Sequence, residues 1–257
     1  MKTFFLVLTA GLGLAGSAIA ADLPARTYTK AAPIAPLYSW TGCYIGANAG
    51  GGTDRETFTH INPDFGVLNF NTNFALGTQH ATGAIGGGQI GCDYQAGNWV
   101  FGAQGLYDAA SLKGSNHLVP GPTDPQFPNI FDLNSRVSSI ATATARLGYA
   151  IQPQLLIYAK GGAAWMRSDL SYAITGMGIT NVYTGVETRN GWTVGAGVEY
   201  LITANWSVFA EYSHMDFGSS TLNTRLFTDP TPQLIWTNHR LDTGMVGLNF
   251  RLGPSAR

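Results

Sequence analysis

Charge is scarce in this chain: Asp, Glu, Lys and Arg make up 11% of 257 residues, against roughly 25% in soluble domains. A protein so poor in charge either buries an unusual share of its surface or meets a solvent other than water. The formal net charge is -1, so no basic field exists to hold nucleic acid. Cysteine is nearly absent: two residues are too few for a disulfide-stapled mini-fold and lack the clustered spacing of a zinc site. Long apolar runs are missing as well, since between Trp40 and Leu252 none reaches the roughly 18 residues of a membrane-spanning helix. What is abundant is glycine, with 33 residues, and apolar side chains, at 45%, recurring in order rather than in blocks, which excludes a disordered chain.

The N-terminus has the layout of an export signal. Lys2 is followed by the apolar run Phe4, Phe5, Leu6, Val7 and Leu8, then a Gly/Ala/Leu stretch, then Ala18-Ile19-Ala20 before Ala21. A basic end, a short apolar stretch and small residues at -3 and -1 predict a signal peptide over 1–20, with the mature chain starting at Ala21. No cysteine follows the cleavage site, so lipid anchoring through an N-terminal Cys is not expected. Residues 21–39 mix Pro, Ala and polar residues without a period and read as an extended leader. A different texture covers 40–252, and 253–257 form a short tail.

Over 40–252, apolar residues alternate with small or polar ones, the period of strands. Eight such segments are read at about 41–51, 81–95, 98–109, 136–150, 155–167, 189–202, 206–217 and 240–252. In the sixth, Trp192, Val194, Ala196, Val198 and Tyr200 oppose Thr193, Gly195, Gly197 and Glu199. In the fourth, Val137, Ala141, Ala143, Ala145, Leu147 and Tyr149 oppose Ser138, Thr142, Thr144, Arg146 and Gly148. A soluble sandwich would expose the Gly/Ser/Thr face, a poor surface in water. If instead the apolar face meets lipid and the polar face lines a narrow lumen, the low charge, the period and the export signal share one cause.

The connections alternate in length. Those at 95–98, 151–154 and 203–205 are short, whereas 52–80, 110–135, 168–188 and 218–239 are long. This predicts an all-β fold: an eight-stranded antiparallel transmembrane barrel over 40–252 with short periplasmic turns and four long extracellular loops. Closure is what lipid demands, because an unpaired strand edge would leave N–H and C=O groups without partners. Trp40, Trp99, Tyr149, Tyr158, Tyr200 and Trp206 gather near the short turns and are expected as an aromatic ring at headgroup level.

Several stretches resemble the small outer-membrane β-barrel family of Gram-negative bacteria, known as porin-family or surface-immunogenic outer membrane proteins and OmpA-like in architecture. They are Trp40-Thr41-Gly42, Arg146-Leu147-Gly148-Tyr149, the run from Gly191 to Tyr200, Asn205-Trp206-Ser207, Ala210-Glu211-Tyr212 and Val246-Gly247-Leu248-Asn249-Phe250. The resemblance implies an integral protein of the cell outer membrane with a structural, surface-exposed role in the envelope. A narrow pore for ions or very small solutes is the alternative, and a lipid-modifying enzyme a second one. Outer-membrane lipid and, during assembly, the barrel-insertion machinery are the implied partners, with a monomer as the assembly state and no ligand named for the surface loops. Members commonly end on an aromatic residue, whereas here Leu252 and the tail follow Phe250.

Arg146, Lys160, Glu199 and Glu211 lie on the small/polar face of four consecutive strands and should converge in the lumen. They would form either a charged constriction that selects solutes or a self-neutralising plug in an interior just wide enough for side chains. Cys43 and Cys92 fall at the same height and on the same outward face of neighbouring strands, which predicts a disulfide; two lipid-facing free thiols are the alternative. Ser213, His214 and Asp216 invite a hydrolase reading, but adjacent strand residues point to opposite faces. His60, His80, His117 and His239 fall in loop segments without ligand spacing, and the glycine runs 50–52 and 86–88 are followed by neither Lys-Ser/Thr nor a helix. No catalytic, cofactor or metal site is therefore expected. The apolar loop residues Leu118, Val119, Phe127, Ile130, Phe131, Leu226, Phe227, Leu234, Ile235 and Trp236 suit either an adhesive surface or packing between loops.

Overall fold

The computed structural model describes residues 38–60, 74–118, 130–176, 179–224 and 233–252. The expected signal peptide (1–20), the leader up to residue 37 and the tail (253–257) lie outside the described residues. Eight strands make up the fold: β1 (Gly42–His60), β2 (Phe74–Ala96), β3 (Trp99–Leu118), β4 (Ile130–Gln152), β5 (Leu155–Gly176), β6 (Ile179–Leu201), β7 (Trp206–Thr224) and β8 (Gln233–Arg251). Each pairs antiparallel with the next, and β8 returns to pair with β1 from Tyr44↔Arg251 to His60↔Ile235, so the sheet closes into a barrel.

The turns at one end are tight because their residues suit them. Ala96 opposes Trp99, leaving Gly97 and Asn98 as a two-residue hairpin loop, and Gly97 takes φ 62°, a left-handed conformation that glycine adopts without strain. At the opposite end the strands run well past the expected boundaries. Pairing continues through much of the segments read as long loops, 52–80, 110–135, 168–188 and 218–239; across the third of these, Tyr172 opposes Tyr183 and Gly176 opposes Ile179. The physical reason is that ladder pairing needs only backbone groups. Once the outer face leaves lipid it no longer has to be apolar, so the alternating signal fades while the hydrogen bonds continue.

The outer face marks where lipid ends. On β1 it reads Cys43, Ile45, Ala47, Ala49 and Gly51, then Thr53, Arg55 and Thr57; on β8 it reads Phe250, Leu248, Val246 and Gly244, then Asp242 and Arg240. The change falls at matched positions, since Thr53 opposes Asp242 and Arg55 opposes Arg240. Tyr94, Trp99, Tyr149, Tyr200 and Trp206 ring the short-turn end, exposed, and Tyr107, Trp165, Trp192 and Tyr212 lie on the outer face toward the hairpin end. On β6 these girdles are Tyr200 and Trp192, a span matching the roughly 9–11 residues a tilted strand uses to cross hydrocarbon.

The interior is filled in three layers. Nearest the short turns, Trp40, Val100, Ala150, Leu156, Tyr158 and Leu201 pack together, with Tyr38 against them. Toward the hairpins lies a second apolar cluster that includes Ile85, Leu106, Leu112, Ile140, Met166, Met215, Phe217, Leu241 and Met245. Between them sits a polar layer described below. Two sequence expectations are corrected here. Trp40 and Tyr158 point inward, at 0% and 6% exposure, and are not part of the headgroup ring; Tyr158 shares its parity with Lys160, so alternation already assigned it to the lumen. Val137 is buried, because a bulge between Val137 and Ser139 switches the faces of β4 at that point.

Inward rings need room in so narrow a tube, and glycine supplies it. Gly91 opposes Tyr44, and a Cβ there would lie 2.5 Å from the Tyr44 ring; Gly197 opposes Tyr158 with the corresponding distance 2.6 Å. Each tyrosine lies flat over the neighbouring glycine, with its hydroxyl directed into the polar layer.

The two faces of β6 should respond differently to substitution. Ala196→Arg, midway between the girdles on the lipid face, is expected to destabilise the barrel by about 2–4 kcal/mol. Thr193→Ser, inside, should cost about 1 kcal/mol or less. Urea titration of the refolded protein in lipid vesicles measures both, and equal costs would contradict the assignment of faces.

Candidate functional site

The polar layer draws on every strand. Arg146 (β4) forms an ion pair with Glu199 (β6) and lies 3.8 Å from Asp93 (β2), while Arg251 (β8) reaches Asp93 at 2.6 Å and Glu199 at 3.6 Å. Lys160 (β5) pairs with Glu211 (β7) at 2.5 Å. Three cations thus face three carboxylates, with side chains almost wholly buried. The four charges singled out in the sequence do come together, but as two pairs rather than one cluster. Asp93 and Arg251 complete the first pair and were missed. Both occupy inward positions by alternation, close to the short-turn ends of β2 and β8.

Neutral groups link the pairs. Glu199 accepts from Ser207 Oγ (2.5 Å) and Asn249 Nδ2 (3.0 Å). Gln89 donates to Asn249 Oδ1 (2.6 Å), Gln104 donates to Gln89 (3.0 Å), and Lys160 donates to Gln104 Oε1 (3.3 Å). Tyr158 donates to Glu211 Oε2 (2.9 Å) while the Arg146 guanidinium stacks 3.8 Å above the Tyr158 ring. Arg146 also donates to the Tyr44 hydroxyl at 3.3 Å, and Tyr44 belongs to β1. Below the network Trp40 closes the tube: its backbone N–H donates to Gln95 Oε1 (2.8 Å), its backbone carbonyl accepts from Arg251 (2.8 Å), and its ring lies 4.7 Å beneath that guanidinium. Ions buried this deeply are tolerated because each is paired and hydrogen-bonded.

A second buried cluster lies nearer the hairpin end. His239, expected in a loop segment without ligand spacing, sits instead on β8, directly opposite Glu56. Its Nδ1 is 2.8 Å from Asp54 and its Nε2 2.9 Å from Glu56, all three side chains at most 2% exposed. Asp54, Glu56 and His239 offer metal-type donor atoms within 4.8 Å of one another. The geometry, however, places one carboxylate at each ring nitrogen, on opposite sides of the imidazole, whereas a metal-binding His uses one nitrogen for the ion. The arrangement is that of an imidazolium donating to two acceptors. The cluster is level with Arg55 and Arg240 on the outer face and so lies outside the lipid-facing stretch. Burial alone would lower the His239 pKa, but hydrogen bonds and charges from Asp54 and Glu56 outweigh it and raise it to about 9. Burial pushes the Asp54 carboxyl up against the pull of the same hydrogen bond.

The remaining sequence candidates separate. Ser213 is buried and donates to Glu211 Oε1 (3.2 Å), whereas His214 faces outward and contacts Asp242 at 2.7 Å. Asp216 lies on the outer face beside Arg240, 3.3 Å away. Serine and histidine thus occupy opposite sides of the barrel wall, and no nucleophile–base contact exists among these three. His80 is exposed on β2. The side chains of His60 and His117, and those of the apolar residues singled out between 118 and 131 and between 226 and 236, lie outside the described residues.

Cys43 and Cys92 are direct partners across β1 and β2, with Cα atoms 3.9 Å apart and both residues exposed on the outer face. The two sulfurs are bonded, at 2.07 Å.

Comparison with known proteins places this architecture. A family model for the outer membrane protein beta-barrel domain matches residues 7–251. The 31 kDa outer-membrane immunogenic protein of Brucella melitensis biotype 1 is 31% identical over 257 residues, covering 98% of this chain and 100% of the relative. Among solved structures, OprG of Pseudomonas aeruginosa aligns with a TM-score of 0.48 at 11% identity over 84% of this chain and 100% of that one. The outer membrane protease OmpT of Escherichia coli aligns with a TM-score of 0.48 at 10% identity, over 84% and 98%.

Two measurements probe these sites. His239 has a folded pKa raised above its ordinary value of 6.5, to about 9. Its contribution is therefore complete below pH 6.5 and lost as pH rises through about 9, a change on the order of 3 kcal/mol. Thermal unfolding in detergent should show His239→Gln well below the parent at pH 6 and close to it at pH 10; a constant gap would contradict the imidazolium assignment. For the cysteines, maleimide labelling of the unreduced, denatured protein should find no reactive thiol, and labelling after reduction should find two.

Proposed function

The chain belongs to the outer membrane protein β-barrel domain family, and from that premise we propose that it acts as a closed, non-catalytic barrel anchoring surface hairpins in the outer membrane. It is an integral outer-membrane protein, consistent with its Brucella relative. The observation that carries the closed reading is the filled lumen: an ionic layer with three cations facing three carboxylates, held between two apolar clusters. A solute path would have to cross both apolar clusters and break the hydrogen-bonded ring between them. The Arg146–Glu199 and Lys160–Glu211 pairs then work as a plug rather than a selectivity constriction.

The non-enzymatic part of the proposal rests on the separation of Ser213 from His214 and on charges in the lumen that are consumed by one another. The three cations and three carboxylates of this buried layer are each engaged by an opposite charge within the layer rather than held ready for a substrate. The strands that continue beyond the lipid-facing stretch give the protein its contact with the exterior, in keeping with the immunogenic character in the name of the Brucella relative. Monomeric assembly and insertion by the barrel-insertion machinery fit a sheet that closes on itself, since no edge is left to pair with a second copy. The Cys43–Cys92 bridge, joining residues 49 positions apart, would hold the first hairpin together during insertion.

Single-channel recording on the refolded protein in planar bilayers tests the closed state, and no steady openings are expected. Glu199→Ala should remain silent, because the apolar layers persist, yet lose about 3–5 kcal/mol of stability as Arg146 stays buried with one partner fewer. Steady conductance of the parent, or lipid-ester hydrolysis abolished by Ser213→Ala, would overturn this reading.

A further inference from the structure

Cations on this barrel are generally matched. In the lumen Arg146, Lys160 and Arg251 each meet a carboxylate, and on the outer face Arg240 meets Asp216 at 3.3 Å. Arg55, directly opposite Arg240, has no ion pair among the described residues, and a second region departs further from that habit. On the outer face of β3, β4 and β5, just beyond the lipid-facing stretch, stand Lys113, Arg136 and Arg167, all exposed. None of the three takes part in an ion pair among the described residues.

Their register concentrates the charge. Lys113 is the direct cross-strand partner of Arg136, and Arg136 opposes Asp169 on β5, with Arg167 one outward position nearer the membrane. Directly opposed like charges destabilise an antiparallel pair, and diagonal neighbours about 7–8 Å apart are still within reach of long side chains. Asp169 is the one carboxylate directly opposite this set; Asp132, also on the outer face of β4, lies two outward positions farther from the membrane than Arg136. Across the barrel the charge at the same level is closer to balance: Arg55 and Arg240 are accompanied by Asp242 and Asp216.

Depth specifies the anion. Trp165 lies on the outer face of β5 one outward position below Arg167, and Tyr107 lies below Lys113 on β3. Aromatic residues on a lipid-facing wall sit at the headgroup boundary. Arg167, immediately above Trp165, is at the height of lipid phosphates, and Lys113 and Arg136, one outward row farther out level with Asp169, reach toward the same height with long side chains.

We infer that Lys113, Arg136 and Arg167 form a binding site for the phosphate groups of an anionic outer-leaflet lipid. The headgroup phosphate supplies the countercharge that the cross-strand Lys113–Arg136 pair lacks, and Asp169 limits how tightly it is held. A lipid is favoured over a soluble polyanion because the site faces sideways, along the membrane plane, directly over the aromatic girdle. The inference depends on the barrel lying in the outer membrane and not on whether its lumen conducts.

Full-length protein refolded in a zwitterionic detergent and titrated with diphosphoryl lipid A, read by native mass spectrometry, tests the site. Each basic residue near a membrane surface is worth roughly fivefold in lipid affinity, so K113Q/R136Q/R167Q should lose on the order of a hundredfold. D169N should gain severalfold, and a dephosphorylated lipid A should not be retained by the parent. Should the triple variant fail to refold, K113Q and R167Q singly should each lose roughly fivefold. Equal retention of lipid A by parent and variants would overturn the inference. So would unchanged lipid retention accompanied by lost binding of sucrose octasulfate in solution, which would make the patch a surface for soluble polyanions.

Discussion

Hydrocarbon offers no partner to a backbone N–H or C=O, and the rest of this structure follows from that constraint. A sheet in lipid has to close, and here it does so through β1 and β8, whose pairing runs the length of both strands. Closing at eight strands leaves an interior only as wide as its side chains. Inward residues therefore have no solvent to turn to and must satisfy one another. Arg146 and Glu199 come from the fourth and sixth strands, which are two apart in the wall. They meet because the lumen is narrow enough for them to reach across it.

The ionic layer is a consequence of closure and also a device for register. Buried ion pairs are weak evidence for stability, since desolvation offsets much of their attraction, but they are intolerant of a missing partner. A one-residue slip of any strand would send its inward charge to the lipid face. Tyr44 over Gly91 and Tyr158 over Gly197 act in the same sense, because each ring fits only where the opposing residue lacks a Cβ. The hydrogen-bonded chain from Asn249 through Gln89 and Gln104 to Lys160 and Glu211 links β8, β2, β3, β5 and β7 across the lumen.

Along its axis one sheet passes through several environments, and its two faces respond independently. Outside, the residues go from the aromatic girdle through small and apolar side chains to Thr, Asp, Lys and Arg, following the solvent. Inside, an apolar cluster, an ionic layer and a second apolar cluster succeed one another with no relation to the membrane, and the buried His239, Asp54 and Glu56 follow nearer the hairpins. A wall so thoroughly filled leaves contact with other molecules to the outer face and the hairpins. The fold alone does not choose among such contacts.

Eight strands, their faces, the tight turns and the common height of Cys43 and Cys92 were legible in the sequence, because alternation and turn chemistry are local properties of the chain. Alternation also assigned Arg146, Lys160, Glu199 and Glu211 to the inner face. It assigned Tyr158 there too, although its aromatic character drew it into the girdle reading. The hairpin extensions were not legible, since strands outside lipid keep their backbone pairing after the apolar signature has gone. Nor was the large inward apolar cluster or the meeting of His239 with Asp54 across 185 residues of sequence. A period of two says which side of the wall a residue faces. Which inward residues are level with one another depends on strand tilt and on the stagger accumulated around the closed barrel, and only the tertiary structure decides that.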